Sequence, residues 1–122
     1  WRPLKTASSE RTVPLVGMSL WAARRINDTA TGPYACPRYN DGKRANSNHA
    51  SAALNKWLRT RVPKDCVVHS FRHSMRHRLR AVQCPFDIVD RIGGWKTAGI
   101  GHSYGAGYDL RVLHEWMMKI TD

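Results

Sequence analysis

His69-Ser70-Phe71-Arg72-His73-Ser74-Met75-Arg76-His77-Arg78-Leu79-Arg80-Ala81-Val82 is the stretch on which the fold turns. Phe71, Met75, Leu79 and Val82 recur three or four residues apart, the spacing of one helix face. The spacing predicts a helix over about 69–82. Arg72, Arg76 and Arg80 form a second stripe on it, with Arg78 beside them.

Downstream, a short helix fits 86–92 and stops at Gly93-Gly94. Residues 96–108 are rich in glycine, and a last helix fits 109–120 with Leu110, Leu113, Trp116, Met117 and Ile120 on its buried side. Upstream, Pro63-Lys64-Asp65 breaks the pattern. A helix fits 47–61, with Ala50, Ala53, Leu54, Trp57 and Leu58 on one face and Ser47 or Asn48 as its cap. A loop covers 28–45, and a shorter helix fits 18–27 through Leu20, Trp21, Ala23 and Ile26. Residues 1–15 read as strand, turn, strand about Ala7-Ser8-Ser9-Glu10, with Pro14 marking an edge strand or a strand end. The expected class is mainly α with a small β-hairpin (α+β), in one unit. Trp21, Trp57 and Trp116 sit on apolar stripes and are expected in the core.

The chain has 122 residues and 42% apolar content, enough for a packed core. Twenty Lys and Arg against nine acidic residues give a net charge of +11. So large a surplus points to a polyanion, nucleic acid before an anionic membrane surface, since no lysine-rich amphipathic anchor is present. No run is long enough to span a bilayer. Cys36, Cys66 and Cys84 form no CxxC pair, so a disulfide framework or zinc knuckle is not expected. They read as inert buried thiols in a reducing cytoplasm. Trp1-Arg2-Pro3-Leu4, with no initiating Met, reads as the middle of a structured segment, so a piece of a longer protein is expected.

The chemistry concentrates at His69 and Arg72. Three residues apart on a helix, they share one face near its N-terminus, where unsatisfied N–H groups favour an anion. Imidazole, guanidinium and helix terminus together suit a phosphate. A second group is Gly93-Gly94-Trp95 followed nine positions later by Tyr104, which glycines flank at 99, 101, 105 and 107. A tyrosine in such a segment is poorly suited to a core and well suited to meet a ligand. A third is Lys5, near the hairpin tip.

Together these groups resemble one family. Lys5-Thr6, Ser9, Arg11 and Val13-Pro14-Leu15 look like the hairpin of phage integrases, the tyrosine recombinases. His69-Ser70-Phe71-Arg72 resembles their HxxR box. Gly93-Gly94-Trp95 through Tyr104 resembles their last box, and 109–120 resembles their terminal helix. The elements run in the family's order from 5 to 104.

The resemblance implies a DNA breaking-and-rejoining catalytic fold, of which residues 1–122 would be the C-terminal portion, truncated at its N-terminal side. It implies that Tyr104 attacks the scissile phosphate to give a 3′-phosphotyrosine, with Arg72 clamping non-bridging oxygens. Lys5 would protonate the leaving 5′-oxygen and His69 would assist as acid/base. Trp95, where many relatives have His, would donate its indole N–H or brace the site. Arg76, Arg80, Arg11 and Lys96 are the candidate contacts to DNA. The family's further arginine, upstream of the hairpin lysine, has no counterpart here, because Arg2 lies too close to Lys5. Weak or absent cleavage by this chain alone is therefore expected. The implied partners are double-stranded DNA at attachment-type sites, other protomers in a tetramer and accessory DNA-bending proteins. The implied setting is the bacterial cytoplasm, at the nucleoid.

Phosphoryl transfer places charge on the phosphate oxygens, which fixed cations stabilise. Phenol, with a pKa of about 10, needs such help to act as a nucleophile near neutrality. No nucleotide-binding loop and no paired carboxylates are present, so neither ATP nor a metal cofactor is expected. Other readings of the same residues exist. His69, His73 and His77 at i, i+4, i+8 could bind zinc, though Arg72 and Arg76 would repel it. Tyr108 is a rival nucleophile with the wrong spacing. A type IB topoisomerase-like DNA relaxation activity and a non-catalytic DNA-binding module are the alternative functions.

Overall fold

The computed structural model describes residues 10–40, 42–95 and 107–121. Lys5, Lys96 and Tyr104 lie outside them. The described chain is mainly helical: α1 (Gly17–Thr29), α2 (Ser47–Leu58), α3 (Ser70–Ala81), α4 (Phe86–Gly93) and α5 (Leu110–Met118), with a 3₁₀ turn at Pro37–Tyr39.

Every helix falls where the periodicity puts it, because the apolar spacing and the stop signals coincide. Pro85 opens α4, where a missing N–H costs nothing. Asp109 caps α5, its side chain accepting from the Arg111 N–H at 2.8 Å. The cap of α2 is Asn46, one residue before the expected Ser47, and α2 ends at Leu58 before a short turn rather than at 61. The loop before α2 is pinched by an antiparallel bridge between Asn40 and Ala45.

No sheet forms among the described residues. The expected hairpin falls mostly on residues 1–9, outside them, and its returning arm pairs with no strand there. Pro14 has no N–H to give, and the Arg11 side chain bonds instead to the end of α4.

The core joins Val16 to α3, α4 and α5. It holds Leu79, Ile88, Val89, Ile92, Leu113, Met117 and Ile120, together with Cys84. Met75, Val82 and Trp116 pack at its margin. Three residues of the expected apolar faces are not in it: Trp21 is 57% exposed, Trp57 55% and Leu110 48%. Periodicity marks the apolar face of a helix but does not say that another element covers it. Cys84 alone is a fully buried thiol; Cys36 is exposed and Cys66 half-buried. Burial pushes the Cys84 thiol up to about 11, aided by the nearby Asp87 carboxylate.

Two tight helix ends matter for the site. α3 closes with the Cys84 N–H bonded to Leu79 O at 3.0 Å and the Gln83 N–H to Arg80 O at 2.9 Å. Gln83 takes the left-handed conformation there, at φ 58°. α4 closes the same way, with Gly94 at φ 65° and the Trp95 N–H bonded to Asp90 O at 3.0 Å. Glycine suits this position, and the turn folds Trp95 back toward α3.

Candidate phosphate-binding site

α3 and α4 pack together, and Trp95 comes off the end of α4 across the side of α3. The Arg72 guanidinium lies over the Trp95 ring, 4.2 Å from its centroid. The Arg76 guanidinium lies over the same ring at 4.8 Å. Both distances are within cation–π range. Two cations four residues apart on a helix repel by a few tenths of a kcal/mol, and the aromatic ring offsets that.

Gly93 is what lets the indole lie there. A Cβ at position 93 would clash with carbons of the six-membered ring of Trp95. Arg11 closes the other side, its Nε donating to Ile92 O at 3.0 Å and its guanidinium resting against Gly94. A cation at the carbonyl end of a helix is favourably placed. Arg11, read from sequence as a DNA contact, thus has its guanidinium on the end of α4.

The two arginines on Trp95 differ in their surroundings. Arg76 pairs with Asp90 of α4 at 3.6 Å, and Asp90 is only 7% exposed. Arg72 is half-buried and has no carboxylate partner among the described residues. Arg80, the third of the stripe, is exposed and lies 5.6 Å from the Phe86 ring centroid.

His69 is exposed at the start of α3, and its ring meets the His73 ring edge-on at 5.0 Å. The segment leading to it is held from α2, where Asn55 Oδ1 accepts the Val68 N–H at 2.8 Å. One expectation is corrected at this end. The Ser70, Phe71 and Arg72 N–H groups are not open to an anion; they donate to the carbonyls of Val67, Val68 and His69 at 2.8, 3.2 and 3.0 Å. The preceding turn has already satisfied them, so positive potential here comes from side chains.

Tyr108 stands just before α5 and donates its O–H to the Asp87 carboxylate. That hydrogen bond raises the Tyr108 pKa above the ordinary phenol value, with burial adding to it. A phenol held protonated against a carboxylate is a poor nucleophile.

The described part of the candidate site therefore brings together Arg72, Arg76 and Trp95, with His69 one turn earlier on α3. Asp90 and Asn55 were missed in the sequence. Asp90 reads there as an ordinary polar residue; its only signal is that Ile88, Val89 and Ile92 around it leave little of so short a helix for solvent. Among the described residues, no three His, Cys, Asp or Glu side chains are grouped to hold a metal. None of the helices described is long and apolar enough to cross a membrane. Comparison with protein-family models, curated proteins and solved structures finds no match.

Proposed function

We propose that this chain carries the phosphate-binding face of a tyrosine recombinase, which exchanges DNA strands through a 3′-phosphotyrosine formed at Tyr104. The observation that carries the reading is Arg72: a guanidinium with no carboxylate partner among the described residues, lying over the Trp95 ring, one turn from His69 on a helix of a chain with net charge +11. Arg72 holds the non-bridging oxygens of the scissile phosphate. His69 contacts the same phosphate and moves a proton, and Lys5 protonates the leaving 5′-oxygen. Tyr104 attacks phosphorus, so the energy of the broken phosphodiester is kept in the phosphotyrosine and no ATP is consumed. Arg80 and Lys96 meet flanking phosphates and set position without reading sequence. The partner is double-stranded DNA at paired sites bound by further protomers, in the cytoplasm of a bacterial host.

The test is covalent trapping on a nicked duplex whose cleaved end diffuses away, read as a protein–DNA band on a denaturing gel. A covalent band is expected with the unaltered protein. It vanishes in Tyr104→Phe and persists in Tyr108→Phe. Duplex binding measured alongside weakens with salt and in Arg72→Ala. A band that survives Tyr104→Phe sinks the reading, as does duplex binding indifferent to both salt and Arg72.

A further inference from the structure

Asp90 is a carboxylate enclosed between helices in a strongly basic protein. Its neighbours Ile88, Val89 and Ile92 on α4 are buried core residues. A buried ion pair is weak evidence of stabilisation, because taking both charges from water offsets most of their attraction. Apolar packing would serve the core at least as well, so Asp90 calls for another explanation. Its contacts supply one. The carboxylate holds Arg76 at 3.6 Å, and Arg76 lies over the Trp95 ring. The backbone carbonyl of Asp90 accepts the Trp95 N–H at 3.0 Å. One residue thus holds Trp95 from two directions, and Trp95 in turn lies under Arg72.

We propose that Asp90 and Arg76 are positioning residues: through Trp95 they hold the Arg72 guanidinium in place for a phosphate of duplex DNA. Asp90 also separates the roles of the two arginines. By neutralising Arg76 it leaves Arg72 as the cation that meets phosphate, so Arg76 acts through the ring rather than as a phosphate contact. The Arg76 Nε is buried and has no hydrogen-bond partner among the described residues, which fits a guanidinium held by its plane and its charge. The inference rests on the proposed phosphate-binding role of Arg72.

The experiment exploits the sign of the charge change. Asp90→Asn makes a basic protein more positive, so simple electrostatics predicts tighter binding of a fluorescein-labelled, mixed-sequence duplex. Positioning predicts weaker binding, by about tenfold, the size of coupling within one ion-pair network. Arg76→Lys keeps the net charge but loses the planar group that stacks on the ring. It is expected to weaken binding to a similar degree, and it stands in if Asp90→Asn does not fold. Both variants are also expected to change the emission of Trp95, taken as the difference between each protein and its Trp95→Phe counterpart, with far-UV circular dichroism unchanged. In an Arg72→Ala background Asp90→Asn should have no further effect on affinity. Unchanged or tighter binding, or an unaltered Trp95 difference spectrum, overturns the inference. If the wild-type chain itself fails to bind the duplex, the phosphate-binding reading falls instead, while the Trp95 spectra still decide whether the brace exists.

Discussion

Gly93→Ala sets two physical effects against each other, and the structure says which wins. Position 93 is the last helical residue of α4, and on helix propensity alone Ala should gain up to about 1 kcal/mol over Gly. The new Cβ, however, would clash with the Trp95 ring carbons, so the ring must move away. Trp95 is half-buried against the core. Losing about half of the ~150–250 Å² that a Trp can bury, at ~25 cal/mol per Å², costs roughly 2–3 kcal/mol. Loss of the two cation–π contacts adds about 0.5–1 kcal/mol each. The net is a destabilisation of about 2–4 kcal/mol, reduced to the extent that the ring finds a new bed. At about 3–5 °C per kcal/mol for a chain of this size, thermal unfolding followed by circular dichroism should show a Tm lower by roughly 6 °C or more. The affinity for duplex DNA should fall with it, since Arg72 loses its platform. A Gly93→Ala protein as stable as wild type, or more so, would show that the Trp95 packing contributes little and that the ring is no firm platform for Arg72.

Other substitutions probe other parts. Gln83 sits at φ 58°, where a side chain costs about 1–2 kcal/mol, so Gln83→Gly should raise stability by up to about 1 kcal/mol in urea unfolding despite the extra freedom of the unfolded chain. A lower midpoint would show that the Gln83 side chain makes a compensating contact. The Cys84 thiol, raised to about 11 from 9.0, favours the folded state while it stays protonated. Its contribution is complete below pH 9 and is lost as pH rises through about 11, so the alkaline fall in stability between those values should shrink in Cys84→Ala relative to wild type. The thiol reagent DTNB at neutral pH should modify exposed Cys36 readily and Cys84 only on unfolding. Arg80→Ala should lower the slope of log affinity against log salt by close to one unit, as loss of a single phosphate contact does, whereas Arg76→Gln should leave the slope nearly unchanged while weakening binding.

The sequence makes most of the helical scaffold plain and the site only partly so. The bounds of α3, α4 and α5 are legible to within a residue or two because Leu79, the trio Ile88, Val89 and Ile92, and the trio Leu113, Met117 and Ile120 repeat at helical spacing between unambiguous stops. Trp21 and Trp57 lie exposed in spite of their apolar stripes, because a stripe is a local property and its cover is not. Arg72 and Trp95 could be named as partners from the order of motifs, but not their stacking, which depends on the left-handed turn at Gly94 and on the bare backbone of Gly93. The expected open N-terminus of α3 failed because hydrogen bonds from the turn at 67–69 do not register in composition. Asp90 stayed invisible for a related reason: a carboxylate's burial depends on a neighbouring helix.

The division of buried residues along the chain has a further consequence. α1 contributes no buried residue, α2 contributes only Leu58, and the core belongs to α3, α4, α5 and the segment at Val16. Opening free energies within one protein follow such differences in burial. Amide protons of α1 and α2 should therefore exchange with solvent through small local openings, while those around Leu79, Val89 and Ile92 wait for the whole molecule to unfold. The arginine–tryptophan stack sits on that slow-exchanging part. A limited protease acting on the first half of the chain would cut long before the stack loosened, so the arginine–tryptophan face is built on the last ground of the fold to give way.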